Sequence, residues 1–191
     1  PPRSTLFPYT TLFRSAELHH ALGCDRVLVC RAFDHGEGSA IAESISPGST
    51  TLISQVFPKD IFAPPTHRAY EEGQVFVLND VHEEAHRLRP ELQKFLKHIQ
   101  VQGTVVVPVV QHQRLWGLLI AHQCHQPRQW KLREIKLLQQ TADHIAIAIQ
   151  QVHLFQQLQG ELKERQQAQK QLTERNQQLA ISNEQIGRAH V

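Results

Sequence analysis

Cysteine is scarce in this chain: Cys24, Cys30 and Cys124 are the only three among 191 residues. An odd, widely spaced trio builds no even disulfide framework and fits a reducing compartment, so a cytoplasmic setting is expected. No CxxC pair exists, which removes the common structural zinc sets. Long apolar runs are missing too, and none approaches the ~20 residues that a membrane-spanning helix requires. The chain also lacks a glycine-rich phosphate loop, a nucleophile beside a base and a catalytic carboxylate pair, so no enzyme class is indicated for it. Nor does one sign of charge dominate, since 20 Lys and Arg face 18 Asp and Glu. That balance gives no support to a nucleic-acid or membrane partner.

Both ends stand apart from the rest. Residues 1–15 read as a translated short-read sequencing adapter and residues 186–191 as a translation of the opposite adapter, so both are excluded from fold reasoning. Setting aside Arg3, Arg14 and Arg188 leaves 17 basic against 18 acidic residues, and the basic excess disappears. The expected organisation is one domain over residues 16–151, about the size of an ordinary single domain, and a coiled-coil linker over residues 152–185. The whole is expected to be a fragment of a longer protein.

Along the chain, residues 16–22 read as the end of a helix closed by Gly23. Residues 26–33 (RVLVCRAF) form a strand, a turn cluster follows at 34–38, and a second strand runs over about 39–46 until Pro47-Gly48 stops it. Residues 49–73 contain Pro58, Pro64 and Pro65 with weak periodicity, and predict a lid loop with short helical pieces. A short strand is expected at 74–78. Pro90 then opens a helix over 91–99, with Leu92, Phe95, Leu96 and Ile99 on one face. Strands at 104–110 and 115–123 flank the polar turn Gln111 to Arg114, and Pro108 implies an edge or a bulge. Hairpins outnumber crossovers, so the fold class is α+β: a central, mainly antiparallel sheet with helices packed on it.

A last helix is expected from near Trp130, with Leu132, Ile135, Leu138, Ala142, Ile145 and Ile149 on its core face. Beyond Gln151 the pattern narrows to a long coiled-coil-like seam. Phe155, Leu162, Gln169, Asn176 and Asn183 hold a positions, while Leu158, Arg165, Leu172 and Leu179 hold d. Polar residues at a weaken such a seam but fix its register and partner number, which predicts a homodimer through this helix. A Gln-rich linker without a partner is the competing reading.

One literal motif is His82-Glu83-Glu84-Ala85-His86, the H-E-x-x-H string of zinc proteases. Its chemistry needs both histidines on one face of a helix. The Asn79-Asp80 turn and Pro90 leave no room for a long one, so a solvated loop without metal is expected.

Several strings resemble GAF domains: Cys24 to Val29, Ala42 to Ser46, Val106 to Val109, and above all Leu115 to Cys124 with Pro127 to Trp130. The likeness is to the phytochrome-like and cyanobacteriochrome GAF domains of cyanobacterial sensor proteins. Light-sensing members of that family attach a linear tetrapyrrole to a Cys, usually followed by His, at the start of the helix before the second hairpin. Counted back without gaps from Val101, those positions fall on Glu91 and Leu92, and a carboxylate cannot form the thioether. The second cysteine that some members use in the lid has no counterpart, since Asp60-Ile61-Phe62 lies there. His122 matches a pocket histidine of the bilin-binding members. The resemblance therefore implies a pigment-free domain, or one that holds a bilin without a covalent bond, with His122, Asp60 and Phe62 as its ligand-binding candidates. His122 either donates a hydrogen bond to a ligand carbonyl or is a satisfied core histidine.

Residues 172–184 resemble the linker that precedes the phospho-acceptor helix of histidine kinases. This implies a non-catalytic sensor or relay module in front of a kinase domain, with a response regulator as the parent protein's partner. The seam residues expected to carry the signal are Phe155, Leu158, Leu162, Leu172, Asn176 and Leu179.

Overall fold

Alternation along the central strands sorts their side chains to the two faces of one sheet. The computed structural model describes residues 15–32, 37–53, 55–58 and 66–189, with side chains through Leu179. The adapter-like residues 1–14, residues 33–36, which hold most of the expected turn cluster, and the lid candidates Asp60 and Phe62 lie outside the described residues. The described residues fall into two units, one through Ile149 and one from Gln150.

In the first unit, helix α1 includes residues 15–22 and ends at Gly23. Gly23 has φ +55°, and its N–H donates to the His19 carbonyl at 3.0 Å, a left-handed stop that glycine adopts at least cost. Strands β1 (Arg26–Ala32) and β2 (Gly38–Ile45) follow, then β3 (Val56–Phe57), α2 (Thr66–Glu71), β4 (Phe76–Leu78) and a single 3-10 turn at Ala85–Arg87. Next come α3 (Pro90–His98), β5 (Gly103–Gln111), β6 (Arg114–Gln123) and α4 (Leu132–Ala189). The six strands lie in the order β3-β2-β1-β6-β5-β4, with every neighbouring pair antiparallel. The expected α+β class and antiparallel sheet are both observed.

Val27 and Val29 of β1, Val105, Val107 and Val109 of β5, and Leu119 and Ala121 of β6 pack with Leu18 and Leu22 of α1 and Leu138, Ala142, Ile145 and Ile149 of α4. The residues between them, Leu28, Cys30, Val106, Leu118 and Ile120, join Phe57, Tyr70, Leu96 and Ile99 on the opposite, lid-side face. Both faces of the inner strands are covered, so their sequences read as unbroken apolar runs rather than alternating ones. Burying each such Leu or Ile stabilises the fold by about 1.5–3 kcal/mol.

Three expectations need correction. Leu132 is 67% exposed instead of lying on the core face, because it is the first helical residue and the sheet-facing stripe starts later, at Ile135 and Leu138. Strand β3 went unforeseen, since two residues carry no readable period. Strand β4 is confined to residues 76–78 and pairs only with Thr104 to Val106. That short reach also accommodates Pro108. Its missing N–H falls beyond β4, next to a register shift at Val109/Val110.

Arg128 ties three ends of this unit together. Its guanidinium donates to the Leu22 and Gly23 carbonyls at the close of α1, to Gln123 Oε1 at the end of β6, and to Glu134 in the first turn of α4. The same group lies 4.6 Å from the centre of the Trp130 ring.

Gly117 and Gly160 make opposite predictions. A Cβ on Gly117 would stand 2.2 Å from the Cys30 carbonyl oxygen across the β1–β6 pair, whereas one on Gly160 would meet nothing within 4 Å. Gly117→Ala should lower the stability measured by urea denaturation by about 1–3 kcal/mol or more. Gly160→Ala should instead raise helix stability by up to about 1 kcal/mol, read by far-UV circular dichroism on heating.

Candidate functional site

A polar row crosses the otherwise apolar lid-side face of the sheet. Register places Arg26 of β1 opposite His122 of β6, and His122 opposite Thr104 of β5. All three are 2% exposed. Arg26 Nη1 lies 3.3 Å from His122 Nδ1. A guanidinium can only donate, so Nδ1 is the acceptor and the ring proton sits on Nε2. Burial pushes the His122 pKa down to about 3, and the Arg26 charge adds to the effect. The imidazole is therefore neutral across the physiological range.

Glu43 balances the buried guanidinium. Its Oε1 lies 3.3 Å from Arg26 Nε, close enough for charge pairing but not aligned as a hydrogen bond, since Nε has no such partner among the described residues. Arg26 Nη2 donates to the Thr50 carbonyl at 2.8 Å. Glu43 in turn accepts from the Leu52 N–H and from Thr51 Oγ1, the latter at 2.7 Å. The 50–52 segment is thereby fastened to the sheet.

Over the other end of the row lies a cavity of about 160 Å³. Phe57, Tyr70, Phe76 and Phe95 supply aromatic walls, and Thr104 and His122 contribute its polar groups. Burial drives the Tyr70 phenol well above its ordinary range. Thr104 Oγ1 has no hydrogen-bond partner among the described residues. An Nε2–H and a free hydroxyl inside an aromatic enclosure suit a planar ligand that presents a carbonyl oxygen. Arg87 and Arg89, both exposed, also line the cavity, and Arg87 pairs with Glu84.

The sequence candidates are only partly brought together. His122 lines this cavity, as does Leu92 from the first turns of α3, while Glu91 beside it is exposed. No cysteine lines it among the described residues. Cys30 is fully buried, and burial raises its pKa and that of Cys24, the latter to about 11. The residues of the H-E-x-x-H string occupy a turn followed by the 3-10 segment, with His82, Glu83 and His86 exposed. Glu84 there binds the Asn79 N–H at 2.8 Å, a purely local staple. In the second unit, Phe155, Leu158, Leu162, Leu172 and Leu179 are each 49–63% exposed, and Asn176 is exposed as well.

Sequence reasoning missed Arg26, Glu43 and Thr104. Each sits alone in a strand, where a polar residue reads as facing solvent. Only the cross-strand register reveals that the three share one buried face.

A family model described as GAF domain matches residues 15–149. The circadian input-output histidine kinase CikA of Thermosynechococcus vestitus is 37% identical over 94 residues, which make up 49% of this chain and 13% of that protein. The chain thus spans a small part of that relative's length. Among solved structures, the blue-light absorbing form of the Thermosynechococcus elongatus PixJ GAF domain is 28% identical with a TM-score of 0.77, covering 83% of this chain and 93% of that one. A phycoerythrobilin-bound GAF domain from a cyanobacterial phytochrome is 27% identical with a TM-score of 0.72, covering 81% of this chain and 90% of that one. Among the described residues, no helix is long and apolar enough to cross a membrane.

The neutral state of His122 has a measurable consequence. In the unfolded chain this ring takes up a proton near pH 6.5, but in the folded protein only near pH 3, so the unfolded state binds more protons between those values. Stability should fall as pH drops through that window, by up to about 1.4 kcal/mol per pH unit from this residue. His122→Gln should flatten the urea-derived stability profile between about pH 6.5 and 4.5. That range lies above the one where Asp25, Glu84 and Glu134, held low by hydrogen bonds despite burial, add their own acid sensitivity. An unchanged slope would show that His122 is not the buried neutral group described.

Proposed function

This chain belongs to the GAF domain family, and from that premise we propose that it is the sensory and relay module of a cytoplasmic two-component histidine kinase. In this reading it lacks the bilin-attaching cysteine and passes a change of conformation out through α4. The kinase context is supported by its likeness to CikA. The observation that carries the relay reading is the composition of α4 itself. One helix, Leu132–Ala189, contains both the sheet-packed Leu138, Ala142, Ile145 and Ile149 and the exposed heptad residues Phe155, Leu158, Leu162, Leu172 and Leu179. An apolar stripe at 3.5-residue spacing, left exposed in a single chain, is what a parallel partner helix covers. Polar a positions such as Asn176 would set register at some expense of affinity, which suits a seam that must shift. The downstream kinase domain and response regulator follow from this reading as partners of the parent protein.

A second reading is favoured by the cavity. His122 Nε2–H and Thr104 Oγ1 stand ready for a ligand oxygen, and a structural relative holds phycoerythrobilin. On this reading the domain binds a linear tetrapyrrole without a covalent bond. The cavity volume of about 160 Å³ falls short of the ~300–1,000 Å³ usual for sites of organic ligands, so a tetrapyrrole would require the cavity to widen.

Two measurements test these readings. Phe155→Ser/Leu158→Ser/Leu162→Ser should convert a dimer to a monomer in analytical ultracentrifugation, and a dimer that persists contradicts the seam. Co-expression with bilin-synthesis enzymes should yield a colourless protein. Visible absorbance that co-purifies and is lost on denaturation would establish the pigment-binding alternative instead.

A further inference from the structure

At the other end of the Arg26–His122 contact lies a larger cleft, of about 820 Å³, between the end of α3, residues 48–52 with Gln55, and the end of β6. Its volume is in the ~300–1,000 Å³ range of small-molecule sites. None of the described residues lining it is acidic. Lys97 and His98 come from the last turn of α3, His82 from the turn after β4, and His125 from the chain leaving β6. Buried Arg26 reaches it from the sheet.

Basic residues in a last helical turn complement the negative end of the helix, which by itself would account for Lys97 and His98. It does not account for His82 and His125, which belong to other segments. Gln100 also lines this cleft with φ +58°, at the position after a helix where glycine is the low-cost choice. A side chain is therefore kept there against backbone preference.

Three carboxylates in contact with lining residues are already engaged. Asp25 holds the Cys124 N–H at 2.6 Å and His125 Nδ1 at 3.1 Å. Asp80 accepts from the His82 N–H, and Glu43 faces Arg26.

We propose that this cleft is a binding site for a small phosphorylated metabolite, distinct from the aromatic cavity lined by His122. Phosphate is favoured over carboxylate by the type of donor on offer. The planar fork of Arg26 is spent on Thr50, His122 and Glu43, so no guanidinium is left for two-point recognition of a flat carboxylate. Among the described lining residues, the remaining side-chain donors are the Lys97 ammonium, imidazoles, the Ser49 and Thr50 hydroxyls and the amides of Gln55, Gln93, Gln100 and Gln102, point donors that converge readily on tetrahedral oxygens. A concave surface whose described lining carries no carboxylate also concentrates anions from solution.

The test is calorimetric titration of the full chain with inorganic pyrophosphate, with citrate as the carboxylate arm. Pyrophosphate should bind saturably at one site and citrate more weakly. Lys97→Gln/His98→Gln removes two exposed side chains, and Gln93→Glu adds a carboxylate to the lining. Each should weaken pyrophosphate binding about tenfold or more while far-UV circular dichroism and the melting temperature stay unchanged. Absence of saturable binding, citrate binding as tightly as pyrophosphate, or unaltered affinity in both variants would each overturn the proposal. None of these results depends on the helix seam or on pigment.

Discussion

The pairing of β1 with β6 is the constraint on which the rest depends. It sets Arg26 directly opposite His122 in the middle of the sheet, and both are removed from water. A buried guanidinium is tolerated only where a counter-charge and hydrogen bonds replace its hydration. Glu43, the Thr50 carbonyl and the His122 ring do so here. Breaking such a set by removing one member is costly, since the others are left buried and unpaired. The same contact also decides the tautomer of His122, and hence which hydrogen-bonding group the lid-side cavity receives.

This contact lies between two cavities of unlike character. Arg26 lines a wide polar cleft, and His122 lines a small aromatic one. The residue after His122, Gln123, meets Arg128, which also grips the end of α1 and Glu134 in the first turn of α4. The end of β6 and the first turn of α4 are thus joined by one amide and one guanidinium.

Much of the fold was legible in the sequence. Gly23, the Gln111 to Arg114 turn and Pro90 mark real boundaries, and the unbroken apolar runs of β1, β5 and β6 reflect coverage on both faces. The GAF likeness of residues 115–130 is borne out by the family match over residues 15–149. Leu132 was misplaced because helical periodicity gives a face but not the point at which the sheet begins to cover it. Strand β3 was too short to carry any pattern. His122 could be picked out from the resemblance, but its partners could not. Arg26, Glu43 and Thr104 are 17 to 96 positions from one another and from His122 in a way no local motif encodes, and only strand register brings them together.

The most direct test of this account is the protonation state of one ring. Heteronuclear NMR of the His122 imidazole at about pH 5, between its folded and ordinary pKa values, should show a neutral ring carrying its proton on Nε2, with Nδ1 accepting from Arg26. An imidazolium protonated on both nitrogens at that pH, or a neutral ring with its proton on Nδ1, would contradict it.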